Sequence, residues 1–154
     1  MWVCSATYNL MPLSRYREVF RRLDHSAIFL MIAGTYTPFT TLYLHGAWAV
    51  GLTAFIWNAA LLGIGAKLLI QRALEVLSAG VYLALGWVGV VATGPFVASL
   101  HPLTLLLLAS GGLFYSIGVI FYAWESLPFQ KALWHAFVLA GAGLHYAAVL
   151  DGIG

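Results

Sequence analysis

Charged side chains are scarce in this 154-residue chain: Asp, Glu, Lys and Arg make up 8% of it, and hydrophobic residues make up 62%. A soluble domain carries about 25% charged residues because water must wet its surface. The composition therefore predicts an integral membrane protein. The single cysteine excludes an intrachain disulfide. The first eleven residues also lack the basic leader of a signal peptide, so we do not expect them to be a removed targeting segment.

Alternating polarity is also lacking, which excludes a closed barrel of strands in the membrane. The apolar runs are continuous and predict helices instead. Residues 1–11 would form only about 17 Å of helix, roughly half a bilayer, and are interpreted as the end of a membrane helix. The predicted fold class is all-α, a multi-pass transmembrane helix bundle of a truncated N-terminal helix and five full spans, at 26–44, 48–66, 76–93, 103–124 and 132–150.

Basic residues occur only in alternate loops. They precede the first full span, separate the second from the third, or separate the fourth from the fifth, and they are Arg15, Arg17, Arg21, Arg22, Lys67, Arg72 and Lys131. The positive-inside rule then predicts cytoplasmic basic loops and an outside C-terminus, in the plasma (inner) membrane of a bacterium. Residues 14–22 predict an Arg-rich helix at the membrane interface, and we expect membrane lipids rather than nucleic acid as its partner.

Small residues recur within the spans, among them Gly63, Gly65, Gly111 and the run 140–143. In lipid, helices associate through close backbone approach, so these residues predict packing faces. Asn58, an amide in the middle of a span, is expected to hydrogen-bond across helices.

Polar groups form one layer at the basic side of the bundle. Taking 1.5 Å per helical residue, they fall within roughly 6 Å of a plane, and they are Ser5, Asn9, Asp24, His25, Lys131 and His135. Polar groups at that depth usually point toward one another inside the bundle. Two alternatives stay open, since Asp24 can cap its helix and Lys131 can extend to the headgroups. His45 and His101 are expected in solvated outer loops, with His145 too far along its helix to share a site with His135.

Three stretches of the chain resemble the bacterial hemolysin III proteins of the progestin and adipoQ receptor superfamily. They are the run from Leu23-Asp24-His25-Ser26 to Thr35-Tyr36-Thr37-Pro38-Phe39, residues 111–122, and Ala132-Leu133-Trp134-His135 continuing to His145. The resemblance covers nearly the whole chain. It implies a single hemolysin III-like membrane domain over 1–154 that lacks the first of the family's seven spans and most of the second. A partner or a second copy would then complete the bundle, unless the chain is a fragment or its start is mis-assigned.

The resemblance also implies a zinc site near the cytoplasmic side, with three histidine ligands and a metal-bound water held by a Ser and an Asp. Ser5 and Asp24 match the water-holding positions, and His135 matches one ligand. Asn9 and Lys131 stand where the other two histidines belong. Catalytic zinc normally has three protein ligands, so we expect zinc binding to be weak or absent. The Lys131 ammonium is then hypothesised to take the charge role of the metal beside Asp24 and Ser5.

Three functions follow from the resemblance. The first is a metal-dependent hydrolase of lipid amides, with its activity lost or reduced here by the degenerate site. The second is membrane permeabilisation, as the family name suggests, although the spans contain no charged ring or continuous polar stripe. The third is a non-catalytic membrane sensor.

Overall fold

A computed structural model describes residues 17–69, 75–124 and 126–153, and every regular element within these ranges is helical. The α-helices are α1 (Arg17–Leu42), α2 (Gly46–Leu69), α3 (Glu75–Gly86), α4 (Thr93–Ser99), α5 (Pro102–Ala123) and α6 (Gln130–Ile153), and a 3₁₀ helix (Val88–Ala92) joins α3 to α4. This confirms the all-α multi-pass fold class. The predicted helix over residues 1–11 lies outside the described residues.

Four segments have the length and apolar composition to cross a membrane: α2, Ala79–Ser99, α5 and α6. Helix α1, predicted as the first full span, is the longest at 26 residues but is more polar than the other four. Its second half carries Thr35, Thr37, Thr40 and Thr41, and these hydroxyls are satisfied locally. Each donates to a carbonyl three or four residues earlier, at 2.7–3.2 Å. Helix α1 therefore needs no water for these groups inside a bilayer.

The Arg-rich helix predicted over 14–22 is, in its described residues, the beginning of α1. Helix α1 runs without interruption from Arg17 to Leu42, so Arg21 and Arg22 belong to the same helix as the first span. The third predicted span, 76–93, ends too early, because α4 continues over Thr93–Ser99. Only two residues, Leu100 and His101, separate α4 from α5.

Helices α1 and α2 form an antiparallel hairpin in which small and aromatic residues interlock. Phe29 is 3% exposed and packs against Gly63, and farther along Thr53 donates to Thr40 at 2.7 Å. A Cβ added at Gly63 would overlap the Phe29 ring, with even its more distant Cε2 atom at 2.7 Å. Gly63 is therefore a packing residue, as the sequence predicts. Gly65, two residues on, has open space around it.

We expect Gly63→Ala to destabilise the hairpin by about 1–3 kcal/mol, the range for overpacking a core. The Phe29 ring is held edge-on by Tyr82 at 4.7 Å between centroids, so it cannot move aside freely. Thermal unfolding in detergent measures the effect, with Gly65→Ala as the matched control. Equal midpoints for the two variants would show that Gly63 is not a close-packing position.

The third predicted span, 76–93, exists but is interrupted. Helix α3 ends at Gly86, the chain continues as a 3₁₀ helix over Val88–Ala92, and α4 resumes at Thr93. Because the backbone leaves the α-helical pattern near mid-membrane, some N–H and C=O groups lose their helical partners. Tyr36 of α1 supplies replacements: its hydroxyl donates to Gly86 O at 2.5 Å and accepts from Gly89 N at 2.8 Å.

Helices α5 and α6 pack with their backbones close together. A Cβ at Gly111 would lie 3.1 Å from Gly141 O, and a Cβ at Gly141 would lie 3.1 Å from Gly111 O. The ring of His145 spans the same contact and hydrogen-bonds Leu108 O through Nε2 at 3.1 Å. Near the start of α5 and the end of α6, buried Thr104 donates to Asp151 Oδ2 at 2.5 Å. Two hydrogen bonds and one small-residue contact thus fix how α5 and α6 lie against each other.

Candidate site at the basic end of the bundle

The basic end of the bundle, defined by the start of α1, the end of α2 and the start of α6, carries those members of the predicted polar layer that lie within the described residues: Asp24, His25, Lys131 and His135. Two contacts set the level of the helices here: Gly63 lies against Phe29, and Arg22 Nη1 donates to Leu68 O at 2.8 Å. In an antiparallel pair these contacts place Lys67 level with the turn of α1 that contains Asp24. His25 is fixed within that turn, since its Nδ1 donates to Arg21 O at 2.7 Å.

Tyr82 of α3 connects this turn to the rest of the bundle. It is 8% exposed and donates its hydroxyl to His25 O at 3.0 Å. It also lies close enough to Asp24 and to Tyr122 of α5 to interact with both electrostatically. Asp24 is half-buried, and its Oδ1 atom is fully buried. The carboxylate therefore faces protein at the level where α1, α3 and α5 meet.

Tyr122 in turn adjoins the start of α6. Its ring packs on Trp134 with 5.3 Å between centroids, and its carbonyl accepts a hydrogen bond from Gln130 Nε2. His135 is the next residue after Trp134; it is half-buried and its Nδ1 atom is fully buried. Electrostatic interactions thus link Asp24 and Tyr122 to Tyr82, and ring packing links Tyr122 to the helical turn that carries His135.

Not all of the predicted site residues lie in the described part of the chain. Ser5 and Asn9 lie outside it. Asp24 and His135 each bury a polar atom, whereas Lys131 is exposed. An exposed Lys131 fits the alternative in which its ammonium extends to the headgroup region. Within residues 17–69, 75–124 and 126–153, no three His, Cys, Asp or Glu side chains are grouped closely enough to hold a metal ion.

Comparison with known proteins identifies the fold family. The family model described as haemolysin-III related matches residues 1–146. The chain belongs to the hemolysin III family. It is 43% identical over 150 residues to Hemolysin-3 of Bacillus cereus, covering 97% of this chain and 68% of the relative. It is 38% identical over 150 residues to the Hemolysin-3 homolog of Bacillus subtilis (strain 168), covering 97% and 70%.

The hemolysin III chain is also similar to a vertebrate protein. It is 33% identical over 156 residues to the human monocyte to macrophage differentiation factor, covering 97% of this chain and 64% of that protein. This match places the family in the progestin and adipoQ receptor superfamily, as the sequence motifs predict. No solved structure gives a significant match.

Sequence reasoning missed two residues that this hemolysin III protein brings to the basic end. Tyr82 has a signal in the sequence, because a tyrosine inside an apolar span needs a partner for its hydroxyl. Tyr122 lies near the predicted end of its span at residue 124, so the sequence gives it no such signal, yet it lies between Tyr82 and Trp134. Both roles depend on contacts between separate spans, and the spacing of residues within one span does not reveal such contacts.

Other polar residues of the spans have local roles. The prediction that Asn58 bonds across helices is wrong, since its Nδ2 donates to Ala54 O of its own helix at 2.7 Å. His45 and His101 are exposed, as predicted, and His101 also caps α5 by accepting from Leu103 N. The amide at Asn58 bonds locally because its side chain lies on an exposed face of α2.

A cavity of about 250 Å³ lies between α1, the interrupted span, α5 and α6. Its walls are mostly aliphatic and aromatic, and its more polar lining residues include Thr35, Tyr36, Trp87, Tyr115 and His145. Trp87 uses its indole N–H to reach Ser116 Oγ at 3.1 Å, so this polar group is satisfied within the protein. Among the described residues that line the cavity there is no Asp, Glu, Lys or Arg, which fits an apolar interior rather than an aqueous path.

Proposed function

We propose that this hemolysin III-family membrane protein has a degenerate zinc site and little or no metal-dependent hydrolase activity toward lipid amides. The donor chemistry at the matched positions carries the proposal. His135 supplies one imidazole, Asn9 an amide and Lys131 an ammonium, whereas catalytic zinc is normally held by three protein ligands. A protonated lysine repels a cation, so these residues do not fit zinc.

The remaining residues support a structural role for this end of the bundle. Tyr82 joins α3 to the Asp24–His25 turn, and Tyr122 joins α5 to the start of α6. Buried polar groups inside a membrane bundle typically hold helices in register through such contacts. Asp24 and His135 are then polar helix contacts, and neither needs a metal to be useful. The hypothesis that Lys131 replaces the metal charge is weaker, because Lys131 is exposed.

The proposal is tested by turnover of a fluorescent short-chain ceramide by the purified chain, with added zinc and with a chelator. We expect no zinc-dependent turnover above that of empty detergent micelles. Turnover that zinc restores after chelation, and that His135→Ala abolishes, would contradict the proposal. A folded His135→Gln variant serves as a control for packing, since it keeps a polar side chain at the same place.

We expect the double substitution Asn9→His with Lys131→His to restore zinc binding. It would return the two missing imidazoles and remove a cation, giving the three-histidine ligand set of a catalytic zinc site. Zinc affinity should rise more than about 100-fold, beyond what outer-shell changes alone produce. Competition with a chromogenic chelator measures it, and Asn9→Gln with Lys131→Gln is the matched control. An unchanged affinity would mean that these positions do not face one site.

The names of the two Bacillus relatives favour a second candidate, membrane permeabilisation. The apolar lining of the cavity argues against a water-filled pore. Dye-loaded vesicles separate the two candidates. We expect the reconstituted chain to release no more dye than vesicles reconstituted without protein, and rapid, dose-dependent release would favour the second candidate.

We also propose that the basic loops face the cytoplasm and the C-terminus faces the outside. The support is the alternation of basic and non-basic loops along the sequence. An alkaline phosphatase fused to Gly154 should be active, because the enzyme requires export. A fluorescent C-terminal fusion protein that matures only in the cytoplasm should stay dark, and the reverse pattern would contradict this orientation.

A further inference from the structure

Cationic groups of two neighbouring helices converge at the basic end of the α1–α2 hairpin. Arg22 is tied to the end of α2 through its bond to Leu68 O, and the Gly63–Phe29 contact fixes the same register one to two turns deeper. These contacts place Lys67 beside the turn of α1 that begins at Arg21. The three cations therefore share one small area of surface at the membrane boundary.

The charges in this area interact with one another. Lys67 lies close enough to Arg21 and to His25 for electrostatic repulsion, and Arg21 also acts on His25. Among the described carboxylates, Asp24 attracts His25 electrostatically, but its Oδ1 atom is buried inside the protein. Helix packing thus holds like charges together at a place where the local dielectric constant is lower than in water.

We propose that this cluster, formed by Arg21, Arg22 and Lys67, binds the phosphate of an anionic phospholipid headgroup. A phosphate diester placed between Arg21 and Lys67 would relieve the repulsion between them and accept charge-assisted hydrogen bonds from both. Lys67 is half-buried, as expected for a lysine that buries its alkyl stem while its ammonium reaches the headgroup level. The site is independent of the function proposed above, since it uses none of the zinc-matched residues.

The lipid selectivity of the site can be measured on the purified full chain in detergent. Dioctanoyl phosphatidylglycerol should raise the midpoint of thermal unfolding in a saturable way, and dioctanoyl phosphatidylcholine should not. Inorganic phosphate at the same concentrations is the third arm. It should give no comparable shift, because it lacks the acyl chains that hold a headgroup at the protein surface.

The double substitution Arg21→Gln with Lys67→Gln should weaken the phosphatidylglycerol effect about thirtyfold, at roughly fivefold for each cation near a membrane surface. The matched control is Arg21→Lys with Lys67→Arg, which keeps both charges and should retain the preference. Equal shifts with both lipids, or an unchanged preference in the Gln variant, would overturn the proposal. A saturable rise of the unfolding midpoint with inorganic phosphate would show that the site binds free phosphate and not a phospholipid headgroup. If the Gln variant does not fold, the single Lys67→Gln variant and the headgroup comparison on the unmodified chain decide.

Discussion

We expect Gly111→Ala to lower the stability of the protein by about 2–4 kcal/mol, the largest effect of any single methyl group considered. The new Cβ would overlap the imidazole of His145, with Nε2 at 2.5 Å, and would lie 3.1 Å from the backbone oxygen of Gly141. Overpacking a well-packed contact costs about 1–3 kcal/mol. Displacing His145 also breaks its bond to Leu108 O, which adds about 0.6 kcal/mol in a membrane bundle.

The imidazole cannot simply rotate away, because Tyr115 lies edge-on to it at 5.3 Å between ring centroids. The test is the midpoint of unfolding by heat or by denaturing detergent, with Gly143→Ala in α6 as the matched control. Gly143 has open space for a Cβ, so its substitution should be nearly neutral. Comparable losses in the two variants would show that the α5–α6 contact is not as close as described.

Tyr36→Phe is the second substitution with a large expected effect, a loss of about 2–4 kcal/mol. The change removes one hydroxyl and leaves both Gly86 O and Gly89 N without the partner that the interrupted span relies on. Each buried polar group left unsatisfied costs about 1–3 kcal/mol. Lipid cannot replace the lost partner, because the hydrocarbon region offers no hydrogen bonds.

Hydrogen exchange followed by mass spectrometry locates the effect. Amide exchange should accelerate over residues 86–93 in Tyr36→Phe, with little change in α5 or α6. Tyr146→Phe is the control, since Tyr146 is 65% exposed and its hydroxyl makes no hydrogen bond within the described residues. Unchanged exchange at the interruption would mean that the span is held together by something other than Tyr36.

The fold was largely predictable from the sequence because membrane spans obey one strong constraint. A segment in lipid must satisfy its backbone internally, so long runs with few charges become helices. The predicted span 48–66 accordingly falls inside α2, and the predicted span 132–150 falls inside α6. The predicted span 103–124 agrees with α5 to within one residue at each end. The same constraint explains why Arg17–Leu42 is one helix: nothing between Arg22 and Ser26 obliges the chain to break.

The interruption after Gly86 could not be predicted in the same way. Residues 79–99 contain no Asp, Glu, Lys or Arg, and glycines occur in uninterrupted spans as well. Tyr36 of another helix decides the outcome, because its hydroxyl satisfies the groups that a break exposes.

For the candidate site, the sequence predicted the depth of the residues along their helices but not their side-chain directions or contacts. Counting residues along each helix places Asp24 and His135 at similar depth, and both bury a polar atom. Side-chain direction was harder, as Lys131 shows: it starts the same helix as His135, yet it is exposed. Tyr82 and Tyr122 belong to the site because of contacts between helices, and the depth of a residue in the membrane does not determine those contacts.

We propose that Asn9 and Lys131 leave this member of the hemolysin III family with weak zinc binding or none. Elemental analysis of the unmodified chain, purified without chelators in zinc-supplemented buffer, tests this proposal most directly. We expect zinc far below one atom per chain. Stoichiometric zinc that survives dialysis and disappears in His135→Ala would contradict it.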